Sequence, residues 1–173
     1  MKNLLISGLP RCGKTTLIKK IIDNQSTSDK FGGFITEEIR EKGERVGFKI
    51  ISFPEREEGF LARKGFPSRC HLGSYGVNFE HLEKIGVASI QRALALGKIV
   101  VVDEIGKMEL FSKKFKYILA QALNSPQKVL ATIMERKNEF ADKVKGRYDV
   151  KLIILNQDNF QNVFYEVQNW LLK

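Results

Sequence analysis

The sequence predicts an α/β protein built on a doubly wound, mostly parallel sheet, and three observations lead to this class. Short runs of β-forming residues alternate with segments whose apolar residues recur at helical spacing. A glycine-containing stretch, residues 8–13, joins the first predicted strand to the first predicted helix. Two acidic residues end the most apolar predicted strand, where parallel sheets bind ligands. With 173 residues, 43% of them hydrophobic, we expect one domain, residues 1–173, with a substantial core.

The first predicted strand, loop and helix carry a phosphate-binding pattern. Residues 3–7 are apolar enough for a short buried strand, and apolar residues recur at helical spacing over 17–22. Between them the chain matches G-x-x-x-x-G-K-[ST] in the required context. Loop amide groups and the N-terminus of the helix are therefore expected to bind a polyphosphate. The predicted phosphate-binding residues are Gly8, Leu9, Pro10, Arg11, Cys12, Gly13, Lys14, Thr15 and Thr16.

Three side chains at the end of this loop have specific predicted roles. Lys14 is expected to reach the β- and γ-phosphates of a nucleotide and so to take part in catalysis. The hydroxyl group of Thr15 is expected to bind Mg²⁺. Thr16 supports the start of the same helix.

The composition excludes several classes of protein. Two cysteines, one of them inside the loop, do not make a disulfide framework or a zinc site. The two histidines, His71 and His81, have no partners at metal-ligand spacing. No apolar run reaches the length of a membrane span, and the amino terminus shows no signal-peptide pattern. We therefore expect a cytoplasmic protein without a membrane partner, and a monomer is favoured.

The formal net charge of +9 at pH 7 favours polyanionic partners. Nucleotides, RNA, DNA and acidic membranes all fit this description. The basic clusters, such as residues 113–116 and 143–147, are short and scattered. A solvated basic surface explains the charge at least as well as a nucleic-acid site, so nucleic-acid binding stays open.

A hairpin is predicted after the first helix, which we expect to end near residues 23–24 before a polar connection at 25–29. Residues 31–40 and 45–53 are rich in β-formers and flank a Lys-Gly turn, so they predict antiparallel pairing added to the parallel sheet. Glu37 and Glu38 point to opposite faces of their strand. We interpret each as a structural partner of Arg40 or Arg45, not as an acid or base.

The middle of the chain contains the least regular segment. Glycines and prolines interrupt residues 54–77, with short strands possible at 60–63 and 75–77. This segment is either a flap that contacts phosphate or substrate, or an exposed basic loop. Residues 78–96 then predict a long helix, with Asn78 as its N-cap and Gly97 as its C-terminal stop.

The second informative stretch is residues 98–104, Lys-Ile-Val-Val-Val-Asp-Glu. Its consecutive β-formers predict a strand buried on both faces. Asp103, at the carboxyl end, is the expected carboxylate for the Mg²⁺ held by Thr15, either as a direct ligand or through one of the ion's other ligands. Glu104 is then placed to accept a proton from a water in line with the γ-phosphate, or to orient that water. This pair is typical of hydrolytic ATPases with a phosphate loop.

The remaining chain repeats the α/β rhythm. Helices are predicted at 112–124, at 138–144 and from Asp158 or Asn159 onward, and buried strands at 128–133 and 150–155. Thr132, near the end of its strand, either contacts the γ-phosphate or the attacking water, or fills space as a β-branched residue. A guanidinium is expected to neutralise charge in the transition state. The candidates are Arg11, Arg136 and Arg147.

Four stretches of the chain together resemble one family. They are the phosphate loop (8–16) and residues 33–38, 73–77 and 102–112. Between them, Arg40, Gly43, Arg45, Gly47 and Phe48 also match its pattern. This is the small thermostable nucleoside-triphosphatase family, to which human cancer-related nucleoside-triphosphatase belongs. The resemblance runs almost end to end, and its most specific part is Asp-Glu-Ile-Gly-Lys-Met-Glu-Leu at 103–110.

The resemblance implies a fold and an activity. The fold is a P-loop NTPase of the additional-strand, RecA-like class, in which the strand bearing Thr132 lies between the phosphate-loop strand and the Asp103 strand. The activity is Mg²⁺-dependent hydrolysis of nucleoside triphosphates (ATP, GTP, CTP and UTP) to diphosphates and phosphate, with broad base tolerance and slow turnover. On this pattern Lys14 and Thr15 hold phosphate and metal, Asp103 supports Mg²⁺, and Glu104 is the general base.

Other functions stay open on the sequence alone. A nucleotide or nucleoside kinase shares the phosphate loop and the chain length, although a carboxylate directly after Asp103 favours water as the acceptor. A nucleic-acid-coupled ATPase module would explain the basic charge. A GTPase switch is disfavoured because the chain has no Asn-Lys-x-Asp motif. Relatives usually carry Asn-Arg after the last strand, where this chain has Asn156-Gln157.

Overall fold

The computed structural model describes residues 1–24 and 28–173, so most of the predicted polar connection at 25–29 lies outside the described residues. Nine strands in these ranges form one mixed sheet. The strands are β1 (Asn3–Ser7), β2 (Phe31–Glu41), β3 (Glu44–Phe53), β4 (Glu58–Lys64), β5 (His71–Leu72), β6 (Tyr75–Val77), β7 (Ile99–Ile105), β8 (Val129–Ile133) and β9 (Val150–Ile154). Their order across the sheet is β5-β6-β4-β3-β2-β7-β8-β1-β9.

The parallel part of the sheet brings the predicted site residues together. β2, β7, β8, β1 and β9 all run in the same direction. β8 lies between β1 and β7, and its Ala131 pairs with Leu5 on one side and Val102 on the other. The carboxyl ends of these three strands therefore lie side by side at one edge of the sheet.

Within the described residues, the antiparallel part contains the predicted hairpin and three further strands, two of which match the short strands that the sequence makes possible at 60–63 and 75–77. The predicted hairpin is present as β2 and β3. Beyond it, β4 pairs with β3, and β6 and β5 follow. Leu61 and Ala62 of β4 are buried in the core. This burial explains why β4 joins the sheet although residues 54–77 are the least regular segment of the sequence.

Helices cover both faces of the sheet, as predicted for a doubly wound fold. Val101 of β7 packs with the helices over residues 14–24 and 160–172, whereas its neighbours Val100 and Val102 pack with the helices over 88–95 and 113–124. All three valines are fully buried, which confirms that this strand has no solvent-exposed face. The α-helices are α1 (Lys14–Asn24), α2 (Phe79–His81), α3 (Ala88–Ala95), α4 (Lys107–Leu110), α5 (Lys113–Asn124), α6 (Glu139–Lys145) and α7 (Phe160–Leu172).

Two predicted elements differ from the structure. The helix predicted over 78–96 is interrupted by a π-helical segment, Leu82–Val87, between α2 and α3, although Asn78 caps it as expected by accepting from the His81 amide at 3.1 Å. β9 is an edge strand, not a buried one. Leu152 and Ile154 are 39% and 54% exposed because β9 has a neighbouring strand on one side only.

None of the helices in the described ranges combines the length and apolarity needed to cross a bilayer.

Candidate active site

The phosphate loop follows β1 and depends on two glycines. Gly8 has a φ of +148° and Gly13 a φ of +101°, which side chains with a Cβ rarely adopt. Gly8 is also pressed against the loop after β9, since a Cβ built on it would lie 2.3 Å from the carbonyl oxygen of Leu155. A substitution at Gly8 would therefore push the two loops apart.

The loop leads directly into the N-terminus of α1. The Leu17 amide donates to the Gly13 carbonyl at 2.8 Å, and this bond closes the first turn of the helix. Earlier amide groups have no partner four residues back and face the loop, where an anion would accept from them. The Lys14 ammonium lies across the loop and donates to the carbonyl oxygens of Gly8 (2.8 Å) and Leu9 (3.1 Å).

Asp103, at the carboxyl end of β7, is the centre of a buried hydrogen-bond network. Its carboxylate accepts from the hydroxyl of Thr15 at 2.8 Å and from the hydroxyl of Thr132 at 2.7 Å. The amide of Thr36 on β2 lies 3.5 Å from the same carboxylate. Asp103 is only 1% exposed. Burial raises its pKa, and the hydrogen bonds from Thr132 and Thr15 oppose that increase.

Thr132 contacts Asp103. The sequence predicted either a contact with the γ-phosphate or the attacking water, or a space-filling role, and neither prediction includes this contact. Its hydroxyl is fully buried at the end of β8 and donates to the carboxylate oxygen that Thr15 does not contact. A signal for this contact existed, because a polar residue at the end of a buried strand next to β7 needs a hydrogen-bond partner.

Glu104 follows Asp103 and is half-buried. Burial raises the pKa of its carboxyl, while the positive charge of Lys14 lowers it. The charge of Lys14 also lowers the pKa of Asp103. The ammonium is thus close enough to both carboxylates to interact with them, which unites the loop and the acidic end of β7 in one site.

Glu109 is a third carboxyl group beside this pair, and sequence reasoning missed it. It belongs to α4, is 4% exposed, and accepts from the amide of Gly106 at 3.2 Å. Burial and the nearby charge of Glu104 raise the pKa of Glu109 to about 8. The signal was the spacing of Gly106 and Glu109, which is that of a helix N-cap and the carboxylate three residues later.

The three candidate arginines lie in different places. Arg11 is exposed within the phosphate loop, and Arg136 is exposed just after β8. Both therefore lie at the edge of the sheet that carries the predicted site. Arg147 is at the opposite edge. It pairs with Asp149 at 2.9 Å, and Asp149 also accepts from Asn3 at the start of β1. A strand of this length separates its two ends by roughly 13 Å, so Arg147 does not reach the phosphate loop.

The predicted partners of the hairpin glutamates are correct for one of the two. Glu38 pairs with Arg40 at 2.6 Å and with Arg45 at 3.0 Å. Glu37 instead pairs with Lys19 of α1, because its side chain is on the α1 face of β2. The two carboxylates do point to opposite faces, as the strand geometry predicts.

Two lysines that contribute to the basic charge stabilise helix C-termini at the edge opposite the phosphate loop. Lys2 donates to the carbonyl oxygens of Leu123 and Ser125, which end α5. Lys128 donates to the carbonyl oxygens of Trp170 and Leu171 in the last turn of α7. These ammonium groups already have structural partners, so they add nothing in favour of a nucleic-acid site.

Comparison with known proteins decides the family. A family model described as NTPase matches residues 3–168. The chain belongs to this NTPase family. It is 44% identical over 164 residues to "Nucleoside-triphosphatase THEP1" of Thermotoga sp. (strain RQ2), which covers 95% of this chain and 92% of the relative. It is 39% identical over 171 residues to the protein of the same name from Methanocaldococcus jannaschii, covering 98% and 96%.

Two solved structures of related NTPases share the whole fold. THEP1 from the hyperthermophile Aquifex aeolicus superposes with a TM-score of 0.89 at 34% identity, covering 99% of both chains. A human cancer-related nucleoside triphosphatase superposes with a TM-score of 0.84 at 29% identity, covering 99% of this chain and 97% of the other. The predicted resemblance to the nucleoside-triphosphatase family and the predicted α/β class are therefore confirmed.

Proposed function

We propose that residues 1–173 act as a single P-loop domain that hydrolyses nucleoside triphosphates to diphosphates and phosphate in a Mg²⁺-dependent reaction. One observation carries the proposal. The hydroxyl of Thr15 and the carboxylate of Asp103 are in direct hydrogen-bond contact at 2.8 Å, with Lys14 and Glu104 beside them. Family membership supports the same activity, because the relatives are named nucleoside-triphosphatases.

The donor set fits a magnesium ion. A hydroxyl and a carboxylate are the hard oxygen ligands that Mg²⁺ prefers, and few protein ligands suffice when phosphates complete the site. Thr15 would hold the ion directly, and Asp103 would hold it directly or through water. A bound Mg²⁺ would supply positive charge that neutralises the negative charge developing on the phosphate oxygens.

The protein's own groups account for the other steps. Loop amides and the N-terminus of α1 bind the phosphates, and Lys14 leaves the carbonyl oxygens of Gly8 and Leu9 to pair with the β- and γ-phosphates. Glu104 orients a water molecule in line with the γ-phosphate and accepts its proton. Arg11 or Arg136 would neutralise charge in the transition state.

The strand order supports assignment to the additional-strand class of P-loop proteins. β8 intervenes between the phosphate-loop strand β1 and the acidic strand β7. A glutamate directly after Asp103 favours water as the phosphoryl acceptor, and no observation on the described residues favours a second substrate pocket of the kind that a kinase needs.

Phosphate release from ATP, GTP, CTP and UTP tests the proposal. The purified protein is assayed with Mg²⁺ or EDTA, with and without a panel of nucleosides, nucleoside monophosphates and RNA. We expect release from all four nucleotides with Mg²⁺ alone. Phosphate that appears only on an acceptor would replace the proposal with a kinase, and release that occurs only with RNA would replace it with a nucleic-acid-coupled ATPase.

A further inference from the structure

Glu109 lies in a part of the site that the proposed reaction leaves without a role. Its side chain is buried, as are the nearby residues Ile105, Met108 and Leu110. A carboxyl group in such surroundings costs free energy unless it makes specific interactions. The interaction that the structure provides is the 3.2 Å hydrogen bond from the Gly106 amide.

Gly106 brings Glu109 and Glu104 together. A Cβ built on Gly106 would lie 3.0 Å from a carboxylate oxygen of Glu109 and 3.5 Å from the carboxyl carbon of Glu104. The φ of Gly106 is −123°, which any residue adopts, so the backbone conformation does not require glycine here. The absence of a side chain instead lets both carboxyl groups pack against the same point of the backbone.

We propose that Glu109 is a positioning residue for Glu104: by binding the Gly106 amide it fixes the turn 104–106 and holds the Glu104 carboxylate toward Lys14 and the phosphate loop. This inference rests on the proposed function, in which Glu104 activates water.

The protonation of the pair is consistent with this role. Because the pKa of Glu109 is about 8, this group carries its proton at neutral pH and adds no second negative charge beside Glu104. Glutamine at 109 would keep an oxygen that accepts from the Gly106 amide, whereas alanine would remove it. The two substitutions therefore separate positioning from charge.

The test compares Glu109→Ala, Glu109→Gln and Glu104→Gln by steady-state hydrolysis of Mg-ATP and by binding of a fluorescent ADP analogue. We expect E109A to lower kcat about tenfold or more while KM and the Kd of the analogue change less than about threefold. E109Q should retain kcat within about threefold. In the E104Q background, measured by single turnover, E109A should lower the remaining rate by less than about threefold, since no base is left to position.

Three results would overturn the inference. If E109A leaves kcat unchanged, Glu109 only caps α4. If E109A weakens nucleotide binding as much as turnover, it acts on the fold of the whole site. If E104Q retains full turnover, the base assigned in the proposed function is wrong, and E104Q alone reveals that failure.

Gly106→Ala gives an independent variant in case E109A does not fold. Its Cβ would lie 3.0 Å from the carboxylate oxygen of Glu109, so this group would have to move away from the Gly106 amide. We expect kcat to fall about tenfold with nucleotide binding preserved, and an unchanged kcat would contradict the inference.

Discussion

The hydroxyl of Thr15 donates a hydrogen bond of 2.8 Å to the carboxylate of Asp103, although 88 positions separate the two residues in the chain. The bond joins the first turn of α1 to the end of β7. The two residues meet because β1 and β7 belong to the same sheet with β8 between them, which brings the carboxyl ends of the three strands close together. The phosphate loop and the acidic pair thereby form one site.

Glu104→Gln tests the assigned base. Glutamine keeps the size of the side chain but cannot accept a proton from water, so kcat for ATP should fall by about 10²-fold or more. Mg-nucleotide binding, measured by calorimetry with a slowly hydrolysed analogue, should persist. Glu80→Gln is the matched control because Glu80 is exposed on α2 and should leave kcat unchanged. Turnover by E104Q at the wild-type rate would remove the assignment.

Lys14→Ala should weaken binding and turnover together. The ammonium is expected to interact with phosphates in the ground state and in the transition state. KM should therefore rise and kcat should fall, so that kcat/KM is lower by about 10²-fold or more. Lys84→Ala is the control, since Lys84 is exposed and pairs with Glu80, four residues earlier in the chain. An intact Kd for nucleotide in the K14A variant would contradict the role of Lys14 in binding.

Thr132→Val tests the contact between β8 and Asp103, the carboxylate that we propose holds Mg²⁺. Valine preserves the shape but removes the donor to Asp103, and an unsatisfied buried carboxylate oxygen costs about 1–3 kcal/mol. The hydrogen bond also opposes the increase in the pKa of Asp103. We therefore expect a lower melting temperature and a higher Mg²⁺ concentration for half-maximal activity. Thr132→Ser keeps the hydroxyl and should restore both values. If the T132V and T132S variants need the same Mg²⁺ concentration for half-maximal activity, the proposed role of this contact is refuted.

Sequence reasoning predicted those parts of the site that depend on neighbouring residues. The phosphate loop is contiguous, and Asp103 and Glu104 end a strand whose four apolar residues could only be buried. Apart from Glu109, whose contact with Gly106 is local, the parts that it missed depend on contacts between distant elements. Thr132 reaches Asp103 because of the strand order, and Leu152 and Ile154 are exposed because β9 is at the edge. Composition alone carries neither kind of information.

The same limit explains the interpretation of charged residues. The sequence assigned Arg40 and Arg45 as partners for Glu37 and Glu38 because they are close along the hairpin. Lys19 is the partner of Glu37, since α1 packs on that face of β2. Arg147 likewise looked equivalent to Arg11 and Arg136 until the structure placed it beside Asn3, at the start of β1.

Glu109→Gln should change how stability depends on pH. The folded-state pKa of Glu109 is about 8, above the ordinary value of 4.5, so the folded protein binds more protons than the unfolded chain between these values. The wild-type protein therefore loses stability as pH rises from 4.5 through 8, and the neutral glutamine removes this contribution. The melting temperature of E109Q relative to wild type should thus increase from pH 5 to pH 9.

The expected size and the control follow from the same linkage. Each kcal/mol corresponds to roughly 2–4 °C in a domain of this length, so a gain of several degrees by pH 9 is expected. Asp103, Glu104 and Lys14 are present in both proteins, so the difference between the two curves isolates position 109. Exposed Glu80 titrates below this window because Lys84 lowers its pKa, so Glu80→Gln should give a constant difference from wild type over pH 5–9. Parallel curves for E109Q and wild type would show that Glu109 is ionised in the folded protein throughout, and that its burial does not hold the proton.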